Sequence, residues 1–356
     1  MHQDQGISKR KASKKVYCSF TFLLVCWFLP LTSQATLAES GHANSKQQAL
    51  CVYDPLGAGG PVFQQFKFYV AAALEWQVDV ELKPYTNERI AAEDFKSGVC
   101  DGVVLTGLLA RQFNFFTGTL DAYGAIPDYD HLRVVFKNLT SPRAAKYMVQ
   151  SQFEVAGLLP AGAAYLFVND RTMNRPENFS GKRFAFLESD PGLKQLVMKV
   201  GASPINSTPA SMYSQFNNGA IDIVFGPAVV YEAMELRKGL KPNGGVLNHP
   251  TAQLTMQLVV RQSAFPEGFG QSSREYWYAQ FDRALKPVKA AEAAIDKSLW
   301  IDVSGEKKDM LVEVMRQARL KLRDQAYYHG KLLSLLSQVR CKQQPENLEC
   351  YAADRE

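Results

Sequence analysis

The chain has 356 residues with a formal net charge of +5, and its 46% of hydrophobic residues is enough for a sizeable folded core. Residues 1–38 hold five basic residues and one acidic residue, so the rest of the chain carries a net charge of about +1. A basic attraction to nucleic acid or to membrane surfaces is therefore not indicated.

The first 38 residues have the pattern of a cleaved export signal. Five lysines and arginines precede an almost wholly apolar run, Tyr17 to Leu31, which is shorter than the roughly 20 residues that a membrane-spanning helix needs. Small residues follow and suit signal peptidase, so we predict a signal peptide at 1–38, cleavage after Ala38 and a periplasmic protein without a membrane anchor. The alternative is an uncleaved membrane anchor. A lipoprotein signal is excluded, because it needs a small residue before its cysteine and Val25 precedes Cys26.

Residues 39–155 predict a first lobe in which strands and helices alternate. Strands are expected at 51–53, 78–82 and 103–105, with helices at 61–76 and 87–97 between them. This order requires a largely parallel sheet that helices cover on both faces.

Residues 156–227 predict a second lobe of the same kind. Its strands are expected at 155–158, 164–168, 184–187 and 221–225, with a helix at 193–200. Part of 228–255 is expected to return to the first lobe, and an alternating strand within 252–262 is expected to cross the hinge. In residues 263–356 apolar residues recur at helical spacing, which predicts a helical C-terminal region that packs on both lobes. The predicted fold class is α/β, with two lobes and a cleft between them.

Four cysteines follow the predicted cleavage site, namely Cys51, Cys100, Cys341 and Cys350. An even number of cysteines in an exported chain favours disulfides, and three pairings are possible. Cys51 and Cys100 each open a strand-like run, so neighbouring parallel strands would place them side by side. Cys341 and Cys350 enclose a short polar loop. We therefore predict these two pairs, both as structural clamps.

Sequence motifs for catalysis are missing. The histidines after Ala38 lack HExxH or any other metal-ligand spacing, and there is no GxSxG motif. The glycine-rich turn from Asp54 to Gly60 has Val62 where a dinucleotide loop needs its third glycine. Free N–H groups at the following helix could hold an anion, or the turn is an ordinary tight turn. We therefore predict no metal, no cofactor and no enzymatic activity.

The candidate ligand contacts follow the strands, because ligands of open α/β sheets bind outside the carboxyl ends of the strands. Arg111 could form a bidentate contact with an acidic ligand, although a surface ion pair is the alternative. Aromatic residues at strand ends often line small-molecule clefts. The predicted lining consists of Tyr53, Pro55, Thr106, Arg111, Tyr165, Glu188, Phe225 and Gln253.

Several segments resemble the extracytoplasmic solute receptors of TRAP transporters (DctP-like). They are 156–170, with the sequence AGLLPAGAAYLFVND, 179–184, 200–204 and 216–222. Within that superfamily the chain is similar to the AdeT-like solute-binding group, some of whose members are described as efflux-associated. That similarity lies in Lys83-Pro84-Tyr85, Leu105-Thr106-Gly107 and Val339-Arg340-Cys341-Lys342.

The resemblance implies a type II periplasmic-binding-protein fold that closes on a small solute and delivers it to membrane transporter subunits. TRAP receptors usually carry an arginine that grips the ligand carboxylate where this chain has Ala185, and an asparagine where it has Gly226. An anionic solute would therefore depend on Arg111 or Arg89. The alternative function is a ligand-free accessory or scaffold protein of an envelope or efflux complex. An enzyme is the third and weakest hypothesis.

Overall fold

One mixed β-sheet organises the part of the chain that the computed structural model describes, residues 47–356. The predicted signal peptide at 1–38 lies outside these residues. The strands of the described part are β1 (Gln48–Tyr53), β2 (Val80–Tyr85), β3 (Gly102–Thr106), β4 (Val149–Gln150), β5 (Phe153–Val168), β6 (Arg183–Leu187), β7 (Ser203–Ser207), β8 (Ile223–Pro227), β9 (Gly245–Leu247), β10 (Ala252–Arg261) and β11 (Trp300–Ile301). The main order across the sheet is β2, β1, β3, β10, β5, β8, β6, β7.

Helices cover the sheet and dominate the last third of the described chain. They are α1 (Pro61–Glu75), α2 (Glu88–Ser97), α3 (Gly107–Ala110), α4 (Tyr129–Thr140), α5 (Ala145–Met148), α6 (Pro191–Lys199), α7 (Met212–Asn217), α8 (Val230–Ala233), α9 (Arg237–Leu240), α10 (Phe269–Ala279), α11 (Phe281–Ala294), α12 (Glu306–Asp324) and α13 (Gly330–Gln343). None of the helices within residues 47–356 combines the length and the apolar character of a membrane span.

The first half of the sheet contains the parallel strands β2, β1 and β3, as the sequence predicts. Helix α2 begins after Asn87, whose side chain accepts hydrogen bonds from the backbone N–H groups of Arg89 and Ile90. It ends at Gly98, whose φ of +84° favours glycine. These two caps hold the start of α2, and with it Glu88, beside the carboxyl end of β3.

Two long antiparallel strands, β5 and β10, join the two halves of the sheet. Strand β10 pairs with β3 on one side and with β5 on the other, and β5 pairs in turn with β8. The strand predicted within 252–262 is confirmed as β10. The strands predicted at 155–158 and 164–168 are parts of the single strand β5, because the residues between them are also extended.

Helices α10 and α11 lie against one face of β5. A Cβ at Gly157 would come within 2.4 Å of the Trp277 ring, so only glycine permits this close approach of helix and strand. Further along β5, the Tyr165 hydroxyl donates to Glu292 of α11 at 3.0 Å. The helix pair therefore follows β5 from the first half of the sheet into the second.

Both predicted disulfides are confirmed. Cys51 of β1 is bonded to Cys100, with 5.9 Å between their Cα atoms, and parallel pairing of β1 with β3 brings the two residues together. Cys341 at the end of α13 is bonded to Cys350, with a Cα separation of 5.6 Å. The second bond holds the C-terminal segment, including Glu349, against α13.

Two arginines and two glutamates form a buried ion cluster at the C-terminal end of the chain, here called the tail cluster: Arg319, Arg340, Glu349 and Glu356. The Arg340 guanidinium donates to Glu349 at 2.5 and 3.0 Å and to Glu356 at 2.8 Å. Arg319 also donates to the backbone carbonyl of Tyr123 at 2.7 Å, and Arg340 to that of Ala125 at 2.5 Å. The tail cluster therefore holds the segment that carries Tyr123.

Candidate ligand-binding site

The carboxyl ends of β1 and β3 carry the first group of candidate residues. Tyr53 is half-buried at the end of β1, and burial together with nearby Glu88 and Tyr213 raises its pKa. The backbone N–H of Thr106 donates to Glu88 at 2.6 Å, and burial raises the pKa of the Glu88 carboxyl to about 7. Because Tyr213 belongs to α7, this group already includes a side chain from the second half of the sheet.

The N–H groups at the start of α1, which could have held an anion, are bonded to Asp54. The buried carboxylate of Asp54 accepts hydrogen bonds from the N–H groups of Leu56, Val62 and Phe63 at 2.9, 2.8 and 3.2 Å. A Cβ at Gly60 would lie 1.8 Å from this carboxylate. The turn is thus a structural cap of α1, and Pro55 is exposed on its surface.

Arg111 is a half-buried cross-link rather than the surface ion pair that the sequence left open. Its terminal nitrogens donate to the backbone carbonyls of Gly118 at 2.5 Å and Tyr327 at 2.7 Å. The guanidinium also stacks on the Tyr327 ring, with 4.0 Å to the ring centre. Within the described residues its Nε atom has no hydrogen-bond partner. The two carbonyls take only two of the five N–H donors of the guanidinium, so Arg111 could contact a ligand without leaving them.

A second carboxyl, Asp121, lies beside Gly107. A Cβ at Gly107 would approach both carboxylate oxygens of Asp121 at 2.7 Å, and Thr255 of β10 donates to Asp121 at 2.7 Å. Burial raises the pKa of Asp121 to about 7, although nearby Arg111 opposes the shift. Asp121 and Glu88 therefore contact consecutive residues, Gly107 and Thr106.

A third carboxyl, Asp190, follows β6 and begins α6. It accepts hydrogen bonds from the Tyr123 hydroxyl at 2.5 Å, the Tyr327 hydroxyl at 3.3 Å and the Leu193 N–H at 2.9 Å. Burial raises the pKa of this carboxyl. The predicted contact at this strand end, Glu188, is exposed, because the loop turns Asp190 inward as the helix cap. Phe225 at the end of β8 packs edge-on against Tyr123, with ring centres 6.0 Å apart.

Tyr165 lies apart from these carboxyls. It is 8% exposed, donates to Glu292 and packs against Trp300 with ring centres 5.0 Å apart. Its neighbour Leu166 points to the opposite face of β5 and lies with Tyr123 and Phe225 around a small apolar cavity of about 40 Å³. Tyr165 therefore stabilises the packing of α11 against β5 in this structure.

Gln253 is the most unusual of the predicted contacts. It lies on β10 where that strand passes between the two halves of the sheet, and it is only 1% exposed. Neither the oxygen nor the nitrogen of its amide has a hydrogen-bond partner within residues 47–356. Such a group costs about 1 to 3 kcal/mol when it stays unpaired.

The two positions that carry the ligand clamp of TRAP receptors have a different role here. Ala185 is fully buried in the apolar core of the second half of the sheet. At Gly226 a Cβ would come 2.8 Å from the Tyr213 hydroxyl, so Tyr213 fills the space that an asparagine side chain would need. Neither residue has a side chain that could donate a hydrogen bond to a carboxylate.

Sequence reasoning found part of this arrangement and missed Glu88, Asp121, Tyr123, Asp190 and Tyr213. Asp190 could have been predicted from the sequence, because an aspartate just before a helix that begins with proline is a typical N-cap. Asp121 and Tyr123 lie in an irregular segment without any periodic signal. Their positions depend on contacts with Thr255 and Arg319, which are distant in sequence.

Replacing either raised-pKa carboxyl by its amide, Glu88→Gln or Asp121→Asn, is expected to stabilise the ligand-free protein at about pH 8 by about 2 kcal/mol. A raised pKa means that the native state binds the proton more tightly, so wild-type stability should fall as pH rises from about 4 to about 7. In each variant the replaced carboxyl no longer titrates, so stability should fall less steeply with pH than in the wild type. Urea denaturation across this pH range tests the effect, with Glu93→Gln on the exposed side of α2 as control. An unchanged pH slope in both variants would contradict the prediction.

Solved structures of TRAP periplasmic solute-binding proteins share this architecture. The protein from Desulfovibrio salexigens with bound orotic acid matches with a TM-score of 0.68 and 16% identity, over 83% of this chain and 99% of that chain. The protein from Ralstonia eutropha H16 with bound (S)-2-acetolactate has a TM-score of 0.66 and 14% identity, over 83% and 99%. That from Haemophilus influenzae with bound L-gulonate has a TM-score of 0.66 and 13% identity, over 82% and 99%. The fold is therefore the two-lobed type II fold of TRAP solute-binding proteins, as predicted.

Sequence relatives identify the family. The family model described as Solute-binding protein AdeT 1/2 matches residues 71–355. The probable solute-binding protein AdeT1 of Acinetobacter baumannii is 38% identical over 303 residues, covering 85% of this chain and 100% of that relative. AdeT2 of the same organism is 26% identical over 236 residues, covering 65% and 98%. The chain belongs to the AdeT 1/2 solute-binding protein family, and both relatives are described as probable solute-binding proteins, not as enzymes.

Proposed function

We propose that this protein is a periplasmic receptor that captures a small solute between its two lobes and delivers it to a membrane transporter of the TRAP type. The lobes would correspond to residues 39–155 and 156–227, with β10 as the crossing strand and residues 263–356 packed on both. Export by the signal peptide at 1–38 belongs to the same proposal. Family membership supports solute binding, and the fold supports closure by hinge bending.

The observation that carries the proposal is the unpaired amide of Gln253. Buried polar groups are nearly always hydrogen-bonded, and exceptions in native proteins require an explanation. The residue lies on a strand shared by both halves of the sheet, opposite Ala163 of β5 and three positions before Met256, which pairs with Thr106 at the end of β3. A bound solute with a polar group would satisfy the amide at the moment of closure.

A thermal-shift screen of the purified protein against a metabolite library tests solute binding. A ligand that binds only the native state raises stability by about 2.7 kcal/mol at a hundredfold excess over its dissociation constant. Small-angle X-ray scattering with and without each hit then measures closure of the lobes. Flat melting curves across the library would contradict the receptor function.

Gln253→Leu is expected to separate a ligand contact from a structural residue. Removing an unpaired buried amide should raise the stability of the ligand-free protein by about 1 kcal/mol and abolish the shift given by any hit. The matched control is Gln257→Leu on the same strand, because the Gln257 amide is bonded to Thr117 at 2.8 and 3.0 Å. That variant should be destabilised by about 1 to 3 kcal/mol. A destabilised Gln253→Leu variant that still binds the hit would contradict the assigned role.

The alternative function is an accessory or scaffold protein that has kept the receptor fold. The observation in its favour is that the protein's own side chains fill the places of the usual clamp: Tyr213 at Gly226, and apolar packing around Ala185. This function predicts no ligand-dependent closure. The scattering measurement therefore distinguishes the two functions.

A further inference from the structure

One face of the sheet carries uncharged polar side chains where the two halves join. Gln253 of β10 lies opposite Ala163 of β5, and Gly226 of β8 lies opposite Tyr165, two residues further along β5. Ala163 and Tyr165 belong to the same apolar core. Residues directly opposite each other in antiparallel strands share a face. Gln253 and a Cβ at Gly226 therefore project from one face, here called the junction face.

Two tyrosine hydroxyl groups lie beside this amide. The Tyr213 hydroxyl is 2.8 Å from the position of a Cβ at Gly226, so it lies on the junction face. Burial raises the pKa of Tyr53, and nearby Glu88 and Tyr213 raise it further, so Tyr53 lies near Tyr213. Both tyrosines are half-buried, and within residues 47–356 neither hydroxyl has a hydrogen-bond partner. Both hydroxyls are therefore available to a solute.

The positive charge of Arg111 lies on the opposite face of the sheet. Arg111 stacks on Tyr327, which packs against the apolar core that contains Leu166. Leu166 points away from the side of Tyr165, because neighbouring residues of a strand alternate. Arg111 also opposes the rise in the pKa of Asp121 that burial causes, so its charge acts on a carboxyl of its own face. The junction face does not receive this charge.

The junction face also lacks the usual partners of a ligand carboxylate. Ala185 shares its apolar core with Ala163, and Gly226 has no side chain, so neither supplies a donor. The carboxyl of Glu88 lies beside Tyr53. A ligand carboxylate would bring a second negative charge toward Glu88, which like-charge repulsion disfavours.

The amide of Gln253 determines what a ligand must offer. It is 1% exposed, and neither its oxygen nor its nitrogen has a hydrogen-bond partner within the described residues. The nitrogen donates hydrogen bonds and the oxygen accepts them. A carboxylate could pair only with the nitrogen and an ammonium group only with the oxygen. A hydroxyl group both donates and accepts, so it can pair with either atom of the amide and with a tyrosine hydroxyl.

We infer that the solute of this receptor is an uncharged compound with several hydroxyl groups, such as a sugar or a polyol, held by Gln253, Tyr213 and Tyr53. This inference rests on the proposed receptor function and specifies its ligand class. It separates the chain from structural neighbours whose bound compounds include D-galacturonate and D-glucuronate.

Isothermal titration calorimetry of the purified protein with two panels tests the ligand class. The uncharged panel contains D-galactose, D-glucose, D-mannitol and myo-inositol, and the acid panel contains D-galacturonate, D-glucuronate and succinate. We expect saturable binding of at least one uncharged compound. Where a sugar binds, its matched uronate should bind at least about a hundredfold more weakly, because the carboxylate would lie near Glu88 without a cation.

Two variants test the location of binding. Tyr213→Phe and Tyr53→Phe keep the ring and remove the hydroxyl, and each should weaken binding of an uncharged compound about three- to tenfold. Tyr276→Phe is the matched control, because Tyr276 lies on α10 against Trp76 and Trp277, and its affinity should be unchanged. Circular dichroism of each variant establishes that a loss of binding is not a loss of folding.

The outcomes separate this inference from the receptor function. Binding of charged compounds alone, in the panels or in the metabolite library, overturns the inference and leaves the receptor function intact. A uronate that binds as tightly as its matched sugar also overturns it. So does an affinity that is unchanged in both tyrosine variants, because the binding would then occur elsewhere. If neither the panels nor the library produce binding, the inference and the receptor function both fail.

Discussion

Arg340→Met is expected to lower the free energy of unfolding by about 3 to 5 kcal/mol. Arg340 is 2% exposed and donates to Glu349, Glu356 and the backbone carbonyl of Ala125. Its removal leaves two buried glutamates with Arg319 alone and one buried carbonyl unpaired. Methionine has about the length of the arginine stem, so the loss of charge and hydrogen bonds dominates over the loss of packing.

Urea denaturation followed by tryptophan fluorescence measures the effect of Arg340→Met. Arg323→Met is the matched control, because Arg323 lies on α12 near Arg319 but pairs with Asp324 at the surface, where such pairs contribute about 0 to 1 kcal/mol. Ligand binding should also weaken in Arg340→Met, since Arg340 holds the segment that carries Tyr123. Equal losses of stability in the two variants would show that the tail cluster contributes no more than a surface pair.

Removing the first disulfide with Cys51→Ala and Cys100→Ala is expected to cost about 4 kcal/mol, because the bond closes a loop between residues 49 positions apart. Removing the second with Cys341→Ala and Cys350→Ala should cost about 3 kcal/mol, since its residues are only 9 positions apart. Both cysteines of the first pair are buried, so alanine, which is smaller and apolar, adds no unpaired polar group.

Equilibrium denaturation of both double variants, compared with the chemically reduced wild type, checks the ranking of the disulfides. Reduction should reproduce the sum of the two losses if the bonds act independently. A larger loss from the second pair than from the first would contradict the loop-length argument. It would instead indicate that Cys350 acts mainly by holding Glu349 in the tail cluster.

Much of the fold could be predicted from the sequence, because local signals agree with the tertiary structure. The order of β1, α1, β2, α2 and β3 follows from alternating periodicity and from glycines at the ends of segments. The first disulfide follows from strand adjacency, and the second from the short polar loop between its cysteines. The unbroken length of β5 could not be predicted in this way. Its apolar residues are buried on both faces, so periodicity gives no indication of where one strand would end and another begin.

The candidate site was harder to predict, because it depends on the direction in which each side chain points. Tyr165 and Leu166 are neighbours in a fully buried strand, and only the packing of α11 shows which of them faces Glu292. The partners of Arg111 are main-chain carbonyls, which every residue has, so no residue type indicates them in advance. Gln253 was correctly placed on β10, but its unpaired amide is visible only once its whole surroundings are known.

The pairing of β3 with β10 constrains the order in which the protein can fold. Strand β3 has its parallel partner β1 early in the chain, but its other edge stays open until residues 256–260 are available. An N-terminal fragment would therefore expose a buried apolar strand edge, which is prone to pair with other chains. Pairing between such distant segments also slows folding. The first half of the sheet thus cannot be completed during synthesis until β10, which follows the strands of the second half, has been made.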